Sequence, residues 1–158
     1  MQLKNYLVIG ALALQGGACD NKQQAVTAPD NFDYKTEMME ADRAFSKLSE
    51  QKGMKQALMQ FIDSKGILLR PNTIPIVGGE AINYISQGND TAYTMTWEPN
   101  GGTVAASGDL GYTYGIYSIK PNQRDTVLYG TYVSIWKRYP DGTWKFVLET
   151  GNEGIGDD

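Results

Sequence analysis

The chain has 158 residues, with 14 Lys and Arg, 18 Asp and Glu, one cysteine and no histidine, so its formal net charge is −4. Without histidine, Ser-His-Asp and Cys-His catalysis are excluded, and a zinc site lacks its usual ligands. No basic cluster occurs, so the phosphate contacts that drive nucleic-acid binding are missing. We expect no metal, no cofactor and no nucleic-acid partner.

The N-terminus has the pattern of an exported chain. Lys4 precedes an apolar run from Tyr6 to Leu14, and three small residues at 16–18 lead to Cys19. The run is much shorter than the roughly 20 residues of a membrane-spanning helix, so it indicates a removable export segment. The arrangement resembles a bacterial lipoprotein signal. That resemblance implies cleavage before Cys19, a lipid on its thiol and anchoring to a membrane of the cell envelope. The alternative is an ordinary secretory signal that ends near a free thiol.

These features divide the chain into four parts. Residues 1–18 are the expected signal peptide, and 19–32 are a polar stretch without periodicity, as in a flexible tether. Residues 33–153 are the expected domain, and 154–158 a disordered tail. Removing 18 residues from 158 leaves 140, enough for one domain with its own core.

The first half of the domain has helical spacing. Apolar residues recur at intervals of three and four after Asp33 and stop at Gly53, which predicts one long helix. The same spacing predicts a second helix over 54–61 and a third over 78–85. Between them, the apolar residues 67–69 predict a buried strand that ends at Arg70.

The second half alternates with a period of two. It predicts strands over 91–97, 103–119 with a break near Gly108, 126–139 and 143–150. The expected hairpin links are 100–102, 121–124 and 140–142. Glycines inside the strands predict a strongly curved sheet. Helices followed by an antiparallel meander indicate an α+β domain with the helices on one face of the sheet.

Five stretches together suggest a family: ADRAF at 41–45, LLRP at 68–71 followed by GEAI at 79–82, TWEP at 96–99, SGDLGYTYG at 107–115 and DGTWK at 141–145. Their order and spacing resemble the nuclear transport factor 2-like superfamily, and within it SnoaL-like proteins of the domain of unknown function 4440 type. The resemblance implies a cone-shaped cystatin-like fold. In that fold a curved antiparallel sheet wraps around the long first helix and leaves a pocket between them.

The superfamily includes ketosteroid isomerase, scytalone dehydratase, limonene epoxide hydrolase and polyketide cyclases, beside domains that only bind. No catalytic set of these enzymes is matched residue by residue, and the missing histidine excludes the dehydratase arrangement. Fold therefore does not decide function. We consider a small-molecule-binding domain with an apolar pocket first. The alternatives are a cofactor-independent isomerase, dehydratase, cyclase or hydrolase that uses a pocket carboxylate, and a protein-interaction domain of the cell envelope.

Two charged residues are candidates for the pocket. Asp42 lies at the edge of the apolar stripe of the first helix, where a cavity would raise its pKa and make it a general base. The alternative is a surface Asp beside Arg43. Arg70 ends a buried strand and is suited to clamp a carboxylate or enolate, but a salt bridge to Glu98 or Asp109 would also explain it.

The remaining candidates are polar or aromatic. Trp97, Tyr112, Tyr114 and Asn152 are candidate ligand-binding residues, because a few placed polar groups in an apolar pocket are typical of ligand sites. The ligand would be a small apolar or carbonyl-bearing molecule. The alternative for the aromatic residues, Trp144 and Phe146 in particular, is an ordinary core.

The sheet also predicts a homodimer. Residues 129–138 carry large side chains on both faces, so the face turned away from the helices needs cover. We expect a second copy to supply it, and membrane contact through the lipid alone.

Overall fold

The computed structural model describes residues 31–154. Its helices are α1 (Asn31–Lys52), α2 (Met54–Phe61) and α3 (Gly79–Gln87), and its strands are β1 (Ile62–Leu68), β2 (Ile76–Val77), β3 (Tyr93–Val104), β4 (Leu110–Pro121), β5 (Leu128–Arg138) and β6 (Trp144–Glu153). The expected signal peptide, Cys19, most of the tether and residues 155–158 lie outside the described residues. Within residues 31–154, no helix is long and apolar enough to cross a bilayer.

The six strands form one sheet in the order β2-β1-β6-β5-β4-β3. β3 to β6 are an antiparallel meander, and β2 pairs antiparallel with β1. β1 joins β6 in parallel, so the sheet is mixed at that one position. α1 packs mainly on β3 and on α2, as expected for helices that cover one face. The α+β class and the curved sheet with a long N-terminal helix are confirmed.

The first hairpin lies later than predicted. The stretch 100–102 is not a turn but part of β3, and the chain reverses over 105–109, where Gly108 has a φ of 77°. Gly101 and Gly102 are needed for close approach instead. A Cβ on Gly101 would lie 2.7 Å from the Tyr114 hydroxyl oxygen. The pairing register shifts between Pro99 and Gly101, so a bulge replaces the predicted turn.

A second bulge changes which residues of β6 face inward. Trp136 pairs with Phe146, but the next pair back along β5 is Ile135 with Leu148, so Val147 is an extra residue. The period-two alternation therefore slips by one position after Phe146. As a result, Glu149 faces the buried side of the sheet.

Aromatic side chains fill the space between α1 and the sheet. The ring of Phe45 lies 4.6 Å from that of Trp97, 5.4 Å from that of Phe146 and 6.3 Å from that of Trp136, measured between centroids. Phe146 and Trp136 are fully buried, and Trp144 is 5% exposed. The core alternative for Trp144 and Phe146 is confirmed. The pocket that the resemblance places between the long helix and the sheet is therefore closed along much of α1.

Candidate functional site

A cavity of about 540 Å³ remains at the end of the sheet covered by α2 and α3. Residues of α2, α3, β3, β4 and β6 line it, together with the segments that follow β1 and α3, whereas α1 contributes none. The buried lining residues form its floor and are Met54, Leu58, Ile85, Tyr117 and Glu149. The exposed lining residues form its rim and are Lys55, Pro71, Tyr84, Gln87, Gly88, Asn89 and Glu153. Its volume lies within the range of about 300 to 1,000 Å³ that is usual for ligand sites.

Four polar side chains converge on this apolar space. Arg70 and Glu149 form an ion pair, with Nη2 2.5 Å from Oε2. The Tyr117 hydroxyl donates to the carbonyl oxygen of Asn152 at 3.2 Å, and burial raises the pKa of Tyr117. Burial, assisted by the charge of Asp90, raises the pKa of Tyr93. Both phenols are therefore neutral hydrogen-bonding groups at neutral pH.

Arg70 lies on the cavity wall, but its partner is not one that the sequence suggested. Glu149 holds it, while Glu98 pairs with Arg43 at 2.7 Å and Asp109 accepts a hydrogen bond from Ser107. The expected salt bridges of Arg70 to Glu98 or Asp109 are wrong. Its contact with a ligand stays a prediction.

Asp42 is fully buried in the core and away from the cavity. Its Oδ1 accepts a hydrogen bond from Trp97 Nε1 at 2.7 Å, and its Oδ2 accepts one from the Tyr132 hydroxyl at 2.8 Å. Burial raises the pKa of Asp42, although hydrogen bonds from Thr113, Trp97 and Tyr132 oppose the rise. Burial and the Asp42 carboxylate together raise the pKa of Tyr132.

The Asp42 network ties α1 to the middle of the sheet. Trp97 lies on β3, Thr113 on β4 and Tyr132 on β5, and Thr113 also accepts a hydrogen bond from Trp136 Nε1 at 2.8 Å. Because Asp42 is fully buried and does not line the described cavity, a molecule bound in that cavity would not reach its carboxylate. The structure thus corrects the prediction of Asp42 as a general base.

The other candidates also lie off the cavity. Tyr112 and Tyr114 are 43% and 50% exposed on the outer face, because the odd-numbered residues of β4 point inward. Trp97 is buried, but it is hydrogen-bonded to Asp42 and does not line the cavity. The side chain of Asn152 is exposed, although the residues before and after it in the sequence line the cavity. The structure corrects the placement of these four. Sequence reasoning missed Tyr93, Tyr117 and Glu149; alternation along β4 separates Tyr117 from Tyr112 and Tyr114 but does not say which face is inner.

Comparison with known proteins shows the fold. No family model and no curated protein matches the sequence. Among solved structures, a nuclear transport factor 2-like protein with a cystatin-like fold from Novosphingobium aromaticivorans is 16% identical, covers 77% of this chain and 82% of its own, and has a TM-score of 0.61. A nuclear transport factor 2-like superfamily protein from Salmonella enterica is 12% identical, with coverages of 82% and 99% and a TM-score of 0.61.

A third structure is described as a ketosteroid isomerase-like protein from Erwinia carotovora. It is 16% identical, with coverages of 75% of this chain and 95% of its own and a TM-score of 0.56. At such identities the likeness carries the fold and not the activity. The chain has the nuclear transport factor 2-like, cystatin-like fold.

Proposed function

We propose that this domain binds a small, largely apolar molecule in the cavity beneath α2 and α3. The observation that carries the proposal is the arrangement of that cavity. Its floor is mostly apolar, and the side chains of Arg70, Glu149, Tyr93 and Tyr117 converge on it from different elements, with further polar and charged side chains around them. Concave apolar space with a small number of placed polar groups is the usual form of a ligand site. Asp42 does not line this cavity, so a reaction there that needs a buried carboxylate would use Glu149.

A thermal-shift screen of apolar alcohols, amines, ketones and acids tests the proposal. A ligand present at 100 times its dissociation constant stabilises the folded state by about 2.7 kcal/mol, which is readily measured. Ile119→Trp places an indole in the cavity, because Ile119 is half-buried on the inner face of β4. We expect it to abolish the shift produced by every stabiliser of the parent protein.

The matched control is Lys120→Trp, which adds the same ring one residue later on the outward face of β4. It should keep the shift. If no compound stabilises the parent protein, or if Ile119→Trp keeps the full shift, the cavity is not a binding site.

We further propose that the domain is exported and held at a membrane by a lipid on Cys19. The apolar run before that cysteine and the polar stretch after it support this proposal. A tether of about 13 residues reaches roughly 20 Å, enough to hold the domain close to the surface.

The outer face of the sheet supports the proposal of a homodimer. Tyr112, Tyr114 and Ile116 lie in a row on β4 and are 41% to 50% exposed. Val133 and Ile135 of β5 are paired beside the two tyrosines. A row of this kind is larger than scattered single apolar residues, and a second copy would cover it symmetrically.

A further inference from the structure

Glu149 is the only acidic side chain among the buried lining residues of the described cavity. Its neighbours in the sheet are Leu68 of β1 and Ser134 of β5, both of which are buried. Glu149 itself is 7% exposed. The bulge at Val147 sets this orientation, so the carboxylate is fixed by the backbone and not by a flexible surface loop.

The carboxylate of Glu149 is paired with Arg70, but its Oε2 receives no hydrogen bond of regular geometry from the described residues. Arg70 Nη2 is 2.5 Å from this oxygen. Arg70 Nη1 donates instead to two carbonyl oxygens, those of Leu69 at 3.0 Å and Glu149 at 3.5 Å. A carboxylate accepts up to four hydrogen bonds, and buried polar groups are almost always satisfied. Glu149 therefore has acceptor capacity that the described protein groups leave unused.

The charges around the cavity disfavour an anionic ligand. Three carboxylates, those of Asp90, Glu149 and Glu153, line it, against two cations, Lys55 and Arg70. The Asp90 carboxylate accepts a hydrogen bond from the Lys55 backbone N–H at 2.6 Å, whereas Glu149 Oε2 receives no hydrogen bond of regular geometry from the described residues. A ligand carboxylate placed beside Arg70 would compete with Glu149 for the same guanidinium and would meet its negative charge.

We propose that Glu149 accepts a hydrogen bond from the bound molecule, so the ligand is a compact apolar compound that carries a hydroxyl or amino group. This inference rests on the proposed binding function and specifies its ligand class. The apolar body lies against Met54, Leu58 and Ile85, and the donor group points towards β6. The carbonyl group expected from the sequence is a hydrogen-bond acceptor, so it would not pair with the Glu149 carboxylate.

Three probes with the same ring system test the inference: naphthalene, 2-naphthol and 2-naphthoate, each titrated into the full chain and followed by fluorescence. A hydrogen bond to a charged acceptor contributes enough for about a tenfold or greater gain in affinity. We expect 2-naphthol to bind at least about tenfold more tightly than naphthalene, and 2-naphthoate to bind most weakly.

The double variant Arg70→Met with Glu149→Met removes the polar pair together. Replacing a buried ion pair by apolar residues of similar volume is often neutral for stability, so this variant is expected to fold. It should bind naphthalene and lose the preference for 2-naphthol. The control Glu80→Gln, at an exposed position of α3 that does not line the cavity, should keep that preference.

The outcomes separate the two proposals. If none of the three probes binds the parent chain and the broader screen also fails, the binding function itself is wrong. If naphthalene and 2-naphthol bind equally, or 2-naphthoate binds best, the cavity is still a binding site, but Glu149 does not accept a hydrogen bond from the ligand. A double variant that still prefers 2-naphthol would overturn the inference in the same way.

Discussion

Replacing Asp42 by alanine should destabilise the domain strongly. The change removes the acceptor of two buried donors, Trp97 Nε1 and the Tyr132 hydroxyl, which lie 2.7 Å and 2.8 Å from the carboxylate. A buried donor left unsatisfied costs about 1 to 3 kcal/mol, so two give about 2 to 6 kcal/mol. Relief from burying the carboxylate offsets part of this cost. We expect the free energy of unfolding to fall by about 3 kcal/mol, out of roughly 5 to 15 kcal/mol for a typical domain.

Urea unfolding followed by tryptophan fluorescence measures this loss, with an unchanged m-value as the sign that the unfolded state is unaffected. The melting temperature should fall by about 10 °C. The matched control is Glu40→Ala, an exposed residue on the same helix, which should stay within about 0.5 kcal/mol of the parent. A loss below about 1 kcal/mol for Asp42→Ala would refute the idea that this network anchors α1 to the sheet.

Three further predictions concern pH, assembly and the N-terminus. The raised pKa of Asp42 means that its contribution to stability is present below its unfolded pKa of about 4 and is lost as pH rises through the folded value. The stability of the parent relative to Asp42→Asn should therefore fall as the pH rises above about 4, and a difference that grows with pH would contradict this. Tyr112→Lys with Tyr114→Lys should convert a dimer into monomers in sedimentation, whereas a monomeric parent protein would end the dimer proposal. Mass spectrometry should find a lipid on the cysteine of the mature N-terminus and none on Cys19→Ser; a free thiol at Cys19 would contradict lipidation.

The helices and most turns were predictable because their signals are local. Gly53 ends α1 with a φ of 88°, and Pro140, Asp141 and Gly142 turn the chain between β5 and β6. The failure at 100–102 has a physical cause. Glycine serves both turns and close strand approach, and the sequence alone does not distinguish a turn from the packing of Tyr114 over Gly101.

The cavity residues were harder to predict because they depend on strand parity and bulges. One extra residue, Val147, moves Glu149 to the inner face. No glycine or proline adjoins Val147, so the sequence carries no signal of this bulge. The prediction that Asp42 borders the cavity was wrong for a different reason. Its position at the edge of an apolar stripe is equally compatible with a cavity and with a core. In the structure, the aromatic side chains of β3 and β5 pack against α1 and make this region part of the core.

The place of β6 in the sheet has a consequence for how the chain reaches its folded form. β6 is the last described strand in the chain, yet it lies between β1 and β5. Until residues 144–153 have left the ribosome, β1 with β2 and the meander of β3 to β5 have no strand to join them, and the Arg70–Glu149 pair cannot form. Folding thus waits for pairings distant in sequence, which are slow to form. This delay is compatible with the proposed export of the chain, because the sheet cannot close early during synthesis.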